Sequence, residues 1–286
     1  MTDRPVAYAG EPGAFAEDAV IAAFGEGPPR VAVGGFREVF EAVTRGDART
    51  GVVPIENLVN GSVREVYDLL LEHDLAITGE VVVPVDLCLA AHPGTAIDDV
   101  QRVYSHIQAL GQSEQFLRTR RWNLLTTYNT AGAGKFVVEQ GDRAAAAVLS
   151  RRAADRFGLT VLAGSIQDVP DNRTRFLILA AEAAPADGPA GEGVGPFRTT
   201  IAFGVRNEPG TLLQALRVFA ERSINLSKLE SRPSRAAPWE YDFWADLDAH
   251  RADPNCAAAL DALAAVATMV RVFGSYGRAI EPEAGR

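Results

Sequence analysis

Cysteine is scarce in this chain. Its 286 residues include only Cys88 and Cys256, far apart and without ligand spacing, so neither a disulfide framework nor a zinc site is expected. The four histidines show no paired spacing either, and no metal is implied. Basic charge is also short: 28 Lys and Arg stand against 37 Asp and Glu, a net charge of -9, with a pI near 5.1. A nucleic-acid partner is therefore not expected, because phosphate binding needs a basic face. The one basic cluster, residues 118–121 before Trp122, reads as the C-terminal charges of a helix. Long apolar runs are missing as well. Nothing approaches the roughly 20 residues a membrane span requires, and the nearest candidate, residues 257–270, contains Asp261. The first ten residues lack a basic region followed by an apolar core, so neither a signal peptide nor a membrane location is expected, and the cytoplasm is the expected compartment.

What is present is ordinary globular material, 47% apolar and 23% charged, in a length suited to about two domains. The sharpest change in composition falls at residues 180–196, rich in Gly, Ala and Pro and free of aromatic residues. It reads as a linker. Before it, residues 4–179 alternate β-rich runs (6–9, 51–54, 100–105, 124–128) with helical patterns (15–24, 63–72, 109–119, 130–140). That alternation predicts an α/β fold with parallel sheets and right-handed crossovers.

In open α/β sheets ligands bind beyond the carboxyl ends of the strands, and here those junctions are polar. Gly10-Glu11-Pro12-Gly13 is either a close-approach loop with free N–H groups or a plain tight turn; its spacing fits neither a dinucleotide loop nor a P-loop. Glu56 and Asn57 follow an apolar run, with Ser62 placed to cap the next helix. Ser105-His106-Ile107-Gln108 leads into Gln112, and Gln108 and Gln112, four apart, share a helix face. Asn129-Thr130 repeats an amide and a hydroxyl, with helix capping as the simpler reading. After a polar loop, Thr174-Arg175-Phe176 sets a hydroxyl and a guanidinium at the start of an apolar strand. Such groups suit a small oxygen-rich anion. A serine–histidine nucleophile is not indicated, because Ser105 and His106 are adjacent and would diverge on a strand.

Three segments together, Val53-Pro54-Ile55-Glu56-Asn57 with Gly61, Ser105 through Gln112, and Asn172 through Phe176, resemble the prephenate dehydratase family. The resemblance implies two α/β lobes like those of a type II solute-binding protein, lobe one at about residues 4–84 and 169–179 and lobe two at about 85–168. It implies a site in the cleft between them. It also implies decarboxylation of prephenate with loss of the ring hydroxyl, giving phenylpyruvate, carbon dioxide and water without a cofactor. The residues matching the family's catalytic positions are Asn57, Ser105, Gln112 and Thr174. Thr174 is expected to donate toward the departing hydroxyl and Arg175 to hold a carboxylate, while Glu56, His106, Gln108, Asn129, Thr130 and Phe176 are expected around the substrate.

Residues 197–278 read as strand, helix, strand, strand, helix, strand, a ferredoxin-like βαββαβ pattern. Asn207-Glu208-Pro209-Gly210-Thr211-Leu212 and Leu229-Glu230-Ser231-Arg232-Pro233 resemble the phenylalanine-sensing ACT domain found with this enzyme. That resemblance implies L-phenylalanine as allosteric effector, held by Asn207, Pro209, Gly210, Thr211, Leu212, Asn225, Leu226, Glu230, Ser231 and Arg232 between paired domains, and hence a homodimer or homotetramer. Four departures from the family pattern stand out. Leu58 replaces Ser or Thr, Ile107 replaces Pro, Asn129 replaces Ser, and Thr211 replaces Ala. The first three leave open arogenate as substrate, or decarboxylation without aromatisation, and Thr211 bears on the affinity or shape of the effector site. A two-lobed aromatic amino-acid sensor is the non-enzyme alternative.

Overall fold

The computed structural model describes residues 4–182, 196–234 and 239–279. The chain begins with β1 (Val6–Ala9), α1 (Phe15–Phe24), β2 (Arg30–Val33), α2 (Phe36–Thr44), β3 (Thr50–Asn57), β4 (Gly61–Ser62), α3 (Arg64–Glu72) and β5 (Ala76–Pro84). A second run follows: β6 (Cys88–Ala91), β7 (Arg102–Ser105), α4 (Ile107–Gln112), α5 (Glu114–Leu117), β8 (Asn123–Thr126), α6 (Thr130–Gln140), β9 (Ala145–Leu149), α7 (Arg151–Arg156) and β10 (Thr160–Ala163). With β11 (Arg173–Ala180) the chain returns to the first sheet, whose order is β2-β1-β3-β11-β5 with β4 on β3, while the second sheet runs β10-β6-β9-β7-β8. This double crossing makes two lobes, and it places the start of β11 beside the end of β3.

The sheets are mixed rather than purely parallel. Strands linked by a helical crossover pair in parallel, β1 with β2 and β3, and β7 with β8 and β9. The exceptions are strands that turn straight back or enter after a lobe crossing: β4 on β3, and β6 with β9 and β10, are antiparallel. The buried strands read as continuous apolar runs, such as Ala145–Leu149, in which every residue is buried, as expected of strands covered on both faces. Two local expectations are corrected. The helix expected over 109–119 is two short ones, broken where Ser113 takes φ -120° and ψ 21°. Ser62 lies in β4 rather than at a helix cap; the cap position of α3 is Val63, which makes no side-chain capping bond.

Compact units divide across two of these strands. Among the described residues, one unit holds those up to His73 together with Val81–Leu177, and the other holds Asp74–Glu80 and those from Ile178 to Ala279. The second unit comprises β12 (Phe197–Gly204), α8 (Thr211–Ala220), β13 (Leu226–Pro233), β14 (Tyr241–Leu247), α9 (Pro254–Val266) and β15 (Met269–Gly277). Its antiparallel sheet has the order β13-β14-β12-β15, the ferredoxin-like arrangement. Ile201, Phe203 and Leu247 of the sheet pack with Ala215 and Phe219 of α8 and Leu263 of α9. Elsewhere in this unit Trp244 stacks on Phe273 with ring centroids 4.6 Å apart. Arg198 donates to both oxygens of Glu80, at 2.8 and 2.6 Å. Of the expected linker, residues 183–195 lie outside the described residues.

Candidate active site

Asn57, the last residue of β3, is the hub of a buried polar cluster. Its Oδ1 accepts from the backbone N–H groups of Val59 and Asn60 at 3.0 and 2.9 Å, and from Gln112 Nε2 at a long 3.5 Å. Those two backbone donors fix the amide orientation, so the side-chain nitrogen must face the other way. There it donates to Asn172 Oδ1 at 2.9 Å, Thr174 Oγ1 at 3.0 Å and the Arg173 carbonyl at 3.1 Å. Asn57 and Thr174 are each 9% exposed and Asn172 2%. Lobe two enters the cluster through Gln112 and through Val85, whose N–H donates to the Asn172 carbonyl at 2.8 Å.

A strand directs successive side chains to opposite faces, and β3 and β11 pair accordingly. Asn57 meets Thr174, whereas one residue back Glu56 forms an ion pair with Arg175 at 3.1 Å. The hydroxyl and the cation that are adjacent in sequence therefore leave β11 in different directions. Arg175 is held by a carboxylate of its own chain, so a substrate carboxylate there would compete with Glu56. Phe176 is 3% exposed and packs in the hydrophobic interior.

At the other junctions the structure favours local roles. Ser105 is fully buried and donates to the Val148 carbonyl at 2.6 Å, leaving its oxygen as acceptor only. His106 caps α4, its Nδ1 accepting from Gln108 N at 3.4 Å, and burial holds its imidazole below the ordinary 6.5. Gln108 is exposed. Asn129 caps α6 by accepting from Gly132 N at 2.5 Å, with Thr130 as the first helical residue. The Gly10–Gly13 loop is a self-satisfied turn, for Gly10 N bonds to the Val33 carbonyl and Gly13 N to Glu17 Oε2. Gly13 is nevertheless required: φ is +92°, and a Cβ would stand 2.7 Å from Ala153 Cα in the other lobe. Ser150 Oγ donates to the Gly13 carbonyl at 2.8 Å. Close by in sequence, Glu11 Oε1 accepts from Tyr128 OH at 2.9 Å and pairs with Lys135 at 3.4 Å. Desolvation, and after it Glu11, push the Tyr128 hydroxyl up to about 12. None of these inter-lobe contacts was foreseeable from the residues alone, because partners more than a hundred positions apart meet only once both crossings are made.

In the second unit the Asn207–Gly210 loop is exposed. Gly210 sits at φ +88° at the cap of α8, and Thr211 Oγ1 reaches back to the carbonyls of Arg206 and Glu208 at 2.6 and 2.9 Å. Asn225 donates to Asp248 at 2.6 Å, Glu230 pairs with Lys228 at 3.5 Å and Arg232 at 3.8 Å, and Leu226 packs against the core. Ser231 is exposed on the edge strand β13.

Two α/β lobes crossed twice by the chain, an amide–hydroxyl cluster at the crossing and a separate ferredoxin-like unit define a class: a two-lobed α/β protein carrying a ferredoxin-like module. The chain belongs to the prephenate dehydratase family, whose model matches residues 6–184, with an ACT domain model matching residues 199–265. It is 42% identical over 281 residues to arogenate dehydratase/prephenate dehydratase 2 of Arabidopsis thaliana, covering 95% of this chain and 72% of the relative. To the bifunctional chorismate mutase/prephenate dehydratase of Aquifex aeolicus it is 37% identical, covering 97% and 75%. Among solved structures, the prephenate dehydratase of Arthrobacter aurescens in complex with L-Phe superimposes with a TM-score of 0.87 at 30% identity, covering 96% of this chain and 90% of that one. A quorum-quenching acylase superimposes with a TM-score of 0.86 at 31% identity, covering 96% and 98%.

Proposed function

We propose that this chain converts prephenate to phenylpyruvate, carbon dioxide and water in the cytoplasm, and that L-phenylalanine regulates it through the second unit in a homodimer or homotetramer. The observation that carries the reaction is the direction of the Asn57–Thr174 hydrogen bond. Because Asn57 donates, Thr174 Oγ1 accepts there, and its own O–H proton is directed to a different acceptor. In the reaction the bond from the ring to its carboxylate breaks, carbon dioxide leaves, and the electron pair completes the aromatic ring. The ring hydroxyl departs with the opposite electron pair and takes up a proton to become water. Aromatisation supplies the driving force, so the protein's task is to orient the substrate and to place a donor at the departing hydroxyl. Thr174 is the hydrogen-bond donor at that hydroxyl in this reading, with Asn57 fixing its rotamer and Gln112 completing the wall, while the proton that completes water is drawn from solvent. Ser105 contributes an acceptor.

Arogenate carries an ammonium group where prephenate carries a ketone, and relatives named for both substrates match this chain. Prephenate is the proposed substrate, with arogenate measured in parallel. An acylase reading, suggested by one structural neighbour, lacks support at the likeliest nucleophile: Ser105 donates to a carbonyl and the His106 ring accepts from Gln108 N. For the effector, the support is the match of residues 199–265 to the ACT domain and the solved relative bound to L-Phe. Asn207, Pro209, Gly210, Thr211, Leu212, Asn225, Leu226, Glu230, Ser231 and Arg232 are the proposed contacts. The test is to add prephenate to purified protein and follow phenylpyruvate with and without phenylalanine. Absence of product from both prephenate and arogenate would defeat the reading, and product formation indifferent to phenylalanine would defeat its regulatory half.

A further inference from the structure

Asn172 has received no role so far beyond holding Asn57. It is 2% exposed, and its side-chain nitrogen makes no hydrogen bond among the described residues. The orientation of that amide is not open to reversal. Its Oδ1 accepts from Asn57 Nδ2 at 2.9 Å, and Asn57 is itself pinned by Val59 and Asn60, so turning Asn172 over would set one NH2 against another. A buried donor without an acceptor is costly and rare in folded proteins, and asks for an explanation. This one lies in the same hydrogen-bonded cluster as Thr174, where β11 re-enters lobe one. Its backbone is held from both crossings, its N–H donating to the Val169 carbonyl and its carbonyl accepting from Val85 N.

We propose that Asn172 is a substrate-contacting residue whose side-chain NH2 donates a hydrogen bond to an oxygen of the bound substrate, while its Oδ1 holds Asn57. The inference rests on the dehydratase reading above, and it names a second donor beside Thr174, on the residue just before β11. Asn57, Asn172 and Thr174 then form a relay of fixed polarity. Backbone N–H groups orient Asn57, Asn57 orients both Thr174 and Asn172, and each of the last two presents a proton donor to the ligand. The sequence signal was slight: Asn172 stands two residues before Thr174, within a matched segment, but nothing in the residue types told a ligand donor from a loop asparagine.

The test uses the full-length protein and prephenate. Asn172→Asp keeps an oxygen to accept from Asn57 and removes the donor, so kcat/KM is expected to fall on the order of ten- to a hundredfold. Asn172→Ala is expected to fall at least as far. Because the aspartate also adds charge, a direct readout accompanies these variants. In 15N-asparagine-labelled Thr174→Ala protein, the Asn172 side-chain NH2 signals, assigned by their loss on Asn172→Asp, are expected to shift when prephenate saturates the site. Near-wild-type turnover by Asn172→Asp would overturn the proposal, since holding Asn57 would then be the whole role. So would unmoved NH2 signals with prephenate bound, whatever the variants' rates. A wild-type protein inert toward prephenate would instead count against the dehydratase reading, so the two failures are distinguishable.

Discussion

Asn57 donates to Thr174, at 3.0 Å, and the reverse direction is closed. The reason lies in the turn after β3, where Val59 and Asn60 point their N–H groups at Asn57 Oδ1 and thereby decide which end of the amide faces β11. A local feature of one turn thus sets the proton direction of a hydroxyl 117 residues later. Threonine is a poor free acid, so such preset polarity matters more than acidity: the O–H arrives already aimed at an acceptor other than Asn57.

Replacing Thr174 with Ala should therefore act on turnover and leave binding nearly alone. On the order of a hundredfold or more should be lost in kcat, the scale of a positioned hydrogen-bond donor, with KM changed only slightly. Thr174→Ser keeps the hydroxyl but frees its rotamer, and should recover most of the loss. Steady-state kinetics with prephenate decide the matter. If the alanine variant retains most of its kcat, Thr174 is not the donor.

Much of this arrangement was legible in the sequence, for reasons that differ by element. α1 over 15–24 and α6 over 130–140 were readable to the residue because each ends at a glycine of positive φ, Gly25 and Gly141. The hydroxyl and amide residues at strand ends were recognisable as a set. Their wiring was not. Thr174 and Arg175 looked like one anion-binding pair because they are neighbours in the chain, yet the period of two in a strand parts them and gives Arg175 to Glu56. The partner of the Ser105 hydroxyl was equally out of view, for its acceptor, the Val148 carbonyl, lies on a strand 43 residues away.

The pairing of Arg198 with Glu80 is internal to the second unit and almost dry, their side chains being 10% and 2% exposed. Ala279 N adds a further donor to Glu80 at 3.0 Å. A buried pair of this kind is poor evidence of net stabilisation, but removing one partner strands the other charge. Arg198→Met should accordingly cost about 3–5 kcal/mol. The double variant Glu80→Leu with Arg198→Met should recover part of that loss but not all, because Asp246, 3.8 Å from Arg198, still loses its cation. Denaturant unfolding of the two variants checks both statements, and a double variant as unstable as the single one would contradict the account.

Asp142 lends itself to a pH test. The backbone N–H of Ala144, then Arg102, hold its carboxyl below the ordinary 3.8 against a smaller opposing effect of desolvation; the Ala144 N bond is 2.9 Å and the Arg102 Nε bond 3.1 Å. A carboxyl whose folded pKa is depressed contributes stability above its unfolded pKa and loses it as the pH falls through the folded value. Asp142→Asn should thus melt below wild type at pH 7, and the gap should narrow as the pH drops below 3.8. Melting curves from pH 7 down to the acid limit of the fold supply the comparison. A gap that stays constant throughout would show that the ionised form is not what stabilises this corner.

Thr211 connects the second unit's loop to its proposed effector. Its hydroxyl, an addition relative to the family's alanine, does not stand ready for a ligand: it reaches the carbonyls of Arg206 and Glu208, closing the Asn207–Gly210 loop over the start of α8. The addition should therefore work by stiffening that loop in advance, and preorganisation strengthens binding by lowering the ordering cost. Thr211→Ala should weaken the response to phenylalanine, raising the concentration for half-maximal effect several-fold, while activity without phenylalanine stays as it was. The loss of one such bond is worth about 1 kcal/mol, or some fivefold in a binding constant. Calorimetric titration with phenylalanine alongside the dose–response curve separates affinity from coupling. Tighter binding in the alanine variant would mean that the hydroxyl obstructs the ligand, and would reverse the role assigned to it.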